Sequence, residues 1–97
     1  MAVSFNAEAL AEAEEATHWY RDNGGTQPSH AFVQELRCVI RLAAETPKLG
    51  SPGSHNVLRL YLKRFPYTLV YRSQNETLRV IAVAHQSRCP GYWAGRR

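Results

Sequence analysis

Four side chains in the C-terminal half combine chemistries that move protons and bind anions: His85, Arg88, Tyr92 and Arg72. Histidine titrates near neutral pH and can serve as a general base. The planar fork of arginine clamps phosphate or carboxylate, and tyrosine donates a proton or stacks on a base. Three of the four lie in one stretch, Leu78 to Trp93 (LRVIAVAHQSRCPGYW). Its β-branched, apolar start predicts a largely buried strand, so His85 is the first polar group at the end where side chains meet solvent. Arg59, Lys63, Arg64, Arg79 and Trp93 are further candidates for contact with a target. Each residue also has a structural reading. A single histidine after an apolar strand often serves as a hydrogen-bonder, and Tyr92 with Trp93 can seal the sheet edge or the helix hairpin and so lock the tail down. His18, His30 and His55 have no partners at ligand spacing, and Trp19 and Tyr20 sit where a helix is expected to pack. Cys38 and Cys89 form neither a zinc pattern nor a disulfide framework, so the expectation is free thiols, no metal and no cofactor.

The elements that must position these groups follow from periodicity. Val3 to Phe5 is β-prone, and Asn6 offers a cap to a helix from about Ala7 to Asp22, with Leu10, Ala13, Thr17 and Tyr20 on one stripe and Glu8, Glu12 and Glu15 away from it. Asn23-Gly24-Gly25 stops that helix. Pro28 and Ser29 open a second, in which Phe32, Val33, Leu36, Val39, Ile40 and Ala43 recur at helical spacing, and Pro47 ends it at or before Thr46. Lys48 to Ser54 reads as a loop. Val57 to Lys63, Pro66 to Arg72 and Thr77 to His85 then follow too closely for anything but antiparallel hairpins. The fold class is therefore α+β, in the order β-α-α-β-β-β, with a two-helix hairpin on one face of an antiparallel sheet.

With turns at Arg64-Phe65 and Gln74-Asn75, strand parity sends Leu58, Leu60, Leu62, Tyr67, Leu69, Tyr71, Leu78, Val80, Ala82 and Ala84 toward the helices. The other face then carries Arg59, Tyr61, Lys63, Thr68, Val70, Arg72, Arg79, Ile81, Val83 and His85, a basic and partly aromatic surface. The 97 residues suit one domain spanning 1–97, large enough to fold without staples. No apolar run is long enough to cross a bilayer and MAVSFNAEAL lacks the features of a signal peptide, so a cytoplasmic protein with no membrane partner is expected. The formal charge of +4 hides an asymmetry. Up to residue 46 seven acids face three bases, a net −4; from residue 47 nine bases face Glu76 alone, a net +8. That polarity points to a polyanionic partner, nucleic acid or an acidic protein segment.

The WY pair closing the first helix, RFPYTLVYR, and VIAVAHQSRCPGYW resemble, in that order, the RelE/ParE superfamily of toxins from bacterial type II toxin-antitoxin systems, often called plasmid stabilisation proteins. The resemblance spans nearly the whole chain. It implies a helix hairpin on an antiparallel sheet, a cognate antitoxin that wraps and neutralises the toxin, and growth arrest by one of two routes. RelE-like members cleave ribosome-bound mRNA without a metal, which needs a base, cations for the phosphorane and an acid. The family positions then fit Arg72, Arg88 and Tyr92, with His85 as base and Lys63 or Arg59 as further clamps. ParE-like members inhibit DNA gyrase and are not enzymes. RFPY, VYR and R.P.YW look closer to that branch, and the lysine run common in RelE-like toxins is replaced here by arginines, which hold their protons too firmly for proton transfer. A plain RNA-binding or interaction module with a basic sheet is the third alternative, although its outer face would offer only Tyr61 for stacking.

Overall fold

The structure, a computed structural model, describes residues 1–97. In chain order it holds β1 (Ala2–Phe5), α1 (Ala7–Gly24), α2 (Thr26–Glu45), β2 (Ser51–Pro52), β3 (Leu58–Tyr61), β4 (Tyr67–Gln74) and β5 (Thr77–His85). The strands form one sheet ordered β1-β5-β4-β3-β2. This is the expected α+β architecture, with two refinements. The loop after α2 contributes a two-residue strand, and β1 pairs with β5 in parallel, the helix hairpin and the three intervening strands making the long connection between them. No helix is long and apolar enough to cross a membrane.

Local chemistry explains where the helices begin and end. Asn6 caps α1, its Oδ1 accepting the Ala9 N–H at 2.7 Å. Gly25, at φ 90°, supplies the positive φ that lets the chain leave α1 and enter α2 at once. The buried stripe of α1 is Ala9 and Ala16, with Ala13 and Tyr20 partly buried, so it is rotated from the stripe read in the sequence and leaves Leu10 exposed. Small residues win that face because they let the helix lie close to β5. Trp19, expected in the core, is 58% exposed; the adjacent Tyr20 takes the inward position among Phe32, Phe65 and Tyr67. In α2 the predicted positions Phe32, Leu36, Val39 and Ala43 are buried.

Register decides which residues meet the helices. Leu58 pairs with Tyr71 and Leu60 with Leu69, as the parity argument required, and Arg59 and Arg72 share the outer face. The β4–β5 turn is Asn75-Glu76, one residue later than predicted, with Gln74 opposite Thr77. Both turn residues have positive φ, 50° and 59°. A one-residue later turn shifts the register by two, which preserves parity for Leu78 and Val80. A β-bulge opposite Val70 and Tyr71 then inserts Ile81 and reverses it. Beyond the bulge Val83 and His85 lie on the helix side, opposite Leu69 and Tyr67, while Ala82 and Ala84 lie on the outer side opposite Val70 and Thr68. The expectation for those four residues is corrected accordingly.

Two apolar clusters result, one on each face. The larger unites Phe32, Leu36, Val39 and Ala43 of α2 with Leu69, Tyr71, Leu78, Val80 and Val83. The smaller gathers Val57, Val70, Ile81, Ala82 and Ala84 under Trp93, which is 6% exposed. The residues after β5 fold back through successive turns and cover part of the face expected to be an open basic surface.

Candidate target-binding site

The C-terminal tail, residues 86–97, shapes the site. From His85 it runs through turns closed by Arg88 N–H to His85 O, Tyr92 N–H to Cys89 O and Arg96 N–H to Trp93 O. Trp93 anchors it on the outer apolar cluster and stands edge-on to His55 at 6.1 Å. Tyr92 and Trp93 were expected to seal the sheet edge or the helix hairpin; Trp93 lies instead on the outer face of the sheet, and it does hold the tail down.

The nine candidates divide by what their polar atoms already do. Arg72 donates Nε and Nη2 to His55 O, at 3.1 and 2.9 Å, and Nη1 to Arg96 O at 3.0 Å. It braces the His55-Asn56 turn, whose φ values of 62° and 59° are unfavourable for side-chain-bearing residues. Arg79 donates to Ser4 Oγ and Phe5 O, and reaches Arg97 O with the rest of its fork. Arg64 is paired with Glu35 at 3.0 Å, and the same carboxylate accepts the Lys63 and Arg64 N–H groups. Arg59 folds back so that Nη2 meets Pro52 O, while its buried Nε has no partner. Trp93 is core. Lys63 remains exposed at the β3–β4 loop, and Arg88 is exposed in the tail.

His85, Arg88 and Tyr92 do come together. They form the wall between a cavity of about 320 Å³ on the outer face, bordered also by Arg59, Tyr61 and Thr68, and one of about 190 Å³ on the helix side, bordered also by Glu12, Trp19 and Tyr67. The His85 Nδ1 accepts the Ser87 N–H at 3.0 Å and stands 2.7 Å from Ser87 Oγ. That bond assigns the ring proton to Nε2, making the free nitrogen a donor. The ring stands edge-on to Tyr67 at 5.0 Å. Tyr92 donates its hydroxyl to Glu12 at 2.6 Å; burial first, then that bond, raises its pKa well above the tyrosine value. Its ring carries the Arg88 guanidinium, Cζ 4.2 Å from the centroid, with Arg96 at 5.0 Å. Arg72 stands apart, opposite Arg79 toward the other end of β4. The four residues of the nuclease reading therefore do not form one constellation.

The sequence places Glu12 away from the packing stripe, gives Asn6 only the capping role and assigns Arg96 none; all three serve the β5 edge. β1 accompanies β5 only to Val80, which leaves an open edge from Ile81 onward. Asn6 Nδ2 and Arg96 Nη1 donate to Ile81 O, and Glu12 accepts the Val83 N–H. Glu12 also pairs with Arg96 at 2.8 Å, and that bond raises the Arg96 pKa. The available signal was the alanine stripe Ala9, Ala13, Ala16, with Glu12 on the same side of the helix; the larger Leu10 drew the prediction to the wrong face. No three His, Cys, Asp or Glu residues gather to hold a metal ion, and both cysteines are exposed and free.

A family model, the ParE toxin of type II toxin-antitoxin system, parDE, matches residues 3–90. The chain belongs to the ParE toxin family. Among solved structures, a chain described as the chromosomal ParDE TA system from P. aeruginosa shares the fold, with a TM-score of 0.76 and 16% identity over 88% of this chain and 95% of that one. No match was found among curated proteins. As a member of the ParE toxin family the chain is the toxin component of a type II module. The matched segment ends at Pro90, so Tyr92, Trp93 and Arg96 of this ParE-family toxin lie beyond it.

Proposed function

We propose that this toxin arrests bacterial growth by inhibiting DNA gyrase in the cytoplasm, engaging it through the tail and the two cavities that His85, Arg88 and Tyr92 separate. The observation that carries this choice over mRNA cleavage is the commitment of the Tyr92 hydroxyl to Glu12. A phenol whose hydroxyl hydrogen-bonds to a half-buried carboxylate, with a raised pKa, is poorly placed to protonate a leaving oxygen. Consumption of the Arg72 fork by backbone carbonyls supports the same choice. Burial of the middle of the outer face under Trp93 argues against a sheet that reads RNA by stacking.

The cognate antitoxin is proposed to dock elsewhere, along the groove between α2 and β3. Leu42, Leu49, Leu60 and Tyr61 line it, Lys63 and Arg64 rim it, and β2 protects β3 only at Leu58 and Arg59, leaving a strand edge free. An amphipathic acidic segment complements that surface. The deciding experiment measures gyrase supercoiling and cleavage of mRNA on translating ribosomes with the same purified protein, alongside His85→Ala and Arg88→Ala. The expected result is inhibited supercoiling without cleavage, weakened in Arg88→Ala. Cleavage that disappears in both variants overturns the reading in favour of a nuclease.

A further inference from the structure

Glu12 ties three parts of the molecule together with one carboxylate. It accepts the Val83 N–H at 3.0 Å from β5, the Tyr92 hydroxyl at 2.6 Å from the tail, and Arg96 Nη1 and Nη2 at 2.8 and 3.1 Å. Its side chain is 14% exposed, so these bonds are largely shielded from water.

The consequence lies one residue further out. Arg88 makes no side-chain hydrogen bond within the protein, whereas Arg59, Arg64, Arg72, Arg79 and Arg96 are all engaged. What holds its guanidinium is the face of the Tyr92 ring, 4.2 Å away. An exposed arginine has many rotamers to lose on binding, and a stacked one has lost part of that freedom in advance. The ring is held in turn by its hydroxyl bond to Glu12, beside its packing on the outer apolar cluster. Of the nearby carboxylates, Glu12 is occupied by Arg96 and Tyr92, and Glu15 borders the same helix-side cavity without bonding Arg88.

We propose that Glu12 is a positioning residue for target engagement: by holding the Tyr92 hydroxyl it fixes the ring on which Arg88 rests, and so presents the Arg88 fork pre-set to an anionic group of the target. This rests on the reading that the tail surface meets the target. It assigns Glu12 a part in toxicity that is separate from its structural bonds to Val83 and Arg96.

The test is a double-mutant cycle on the full chain with two readouts, growth arrest on induction in cells and inhibition of gyrase supercoiling, alongside thermal unfolding of each variant. Tyr92→Phe keeps the ring and the Glu12 pair with Arg96 but removes the anchoring bond; Glu12→Gln removes the charge. Both are expected to weaken toxicity by about two- to tenfold, the cost of ordering one rotamer-rich side chain on binding. In an Arg88→Ala background neither is expected to weaken it further, while their effects on unfolding persist. Tyr92→Phe as toxic as the wild type, or losses that add to that of Arg88→Ala, overturns the proposal. Should Glu12→Gln fail to fold, Tyr92→Phe decides alone. A wild type that arrests growth yet leaves supercoiling intact removes the gyrase reading, and the growth-arrest cycle still decides the role of Glu12.

Discussion

Arg59, Arg64, Arg72, Arg79 and Arg96 of the basic half spend their side-chain donors inside the molecule. A count of charges registers Arg72 and Arg79 as available to a partner; only the folded chain reveals the carbonyls of His55, Phe5, Arg96 and Arg97 in their forks. Single side chains also carry the sharpest stability predictions. Tyr71 is fully buried, donates to Pro47 O at 2.7 Å and accepts the Gly50 N–H at 3.2 Å. Tyr71→Phe strands both backbone groups and should cost about 1–3 kcal/mol, measured as a shift in the urea midpoint at unchanged slope. Glu35 is a pH-dependent anchor. Burial opposes its charged form, but the hydrogen bond from the Arg64 side chain, the Arg64 and Lys63 N–H groups and the Arg64 charge together bring its pKa below 4.5. A lowered folded pKa means that this contribution is complete above the ordinary glutamate value and vanishes as pH falls through the folded one. Unfolding free energies measured from pH 7 to pH 3 should therefore decline less steeply in Glu35→Gln than in the wild type.

The helices and hairpins were readable because periodicity reports them directly. The α2 stripe and the Asn6 cap fell where spacing put them, and the β3–β4 register matched the prediction. What could not be read was the bulge at Ile81, because a run of Val, Ile and Ala is equally apolar in either register and nothing in VIAVA marks the extra residue. The fate of His85 followed from that one insertion, which moved it to the same side as Tyr67. The Asn75-Glu76 turn was missed for a related reason, since Glu is a poor residue for positive φ and gives no turn signal. Replacing it should repair the mismatch. Glu76→Gly is expected to stabilise the protein by about 1 kcal/mol, detectable as a higher melting temperature. A lower melting temperature would show that the hairpin tolerates Glu76 without strain.

Taken whole, the molecule covers one face of its sheet with the helices and part of the other with its own tail. The second core is small and depends on one large side chain, so Trp93→Ala should cost about 3–5 kcal/mol, comparable to losing an aromatic from the main core. Chemical denaturation monitored by far-UV circular dichroism measures it. A loss below about 1 kcal/mol would mean that the tail rests on the sheet without holding it. The parallel pairing of β1 with β5 also has a consequence in time. Ala2 meets Thr77 and Phe5 meets Val80, so β1 has no partner until nearly the whole sheet has been made. At about 5–20 residues per second a ribosome leaves it unpaired for several seconds. Through that interval neither the sheet edge guarded by Asn6 and Glu12 nor the tail beyond it exists, and the toxin takes its shape only once synthesis has passed its final strand.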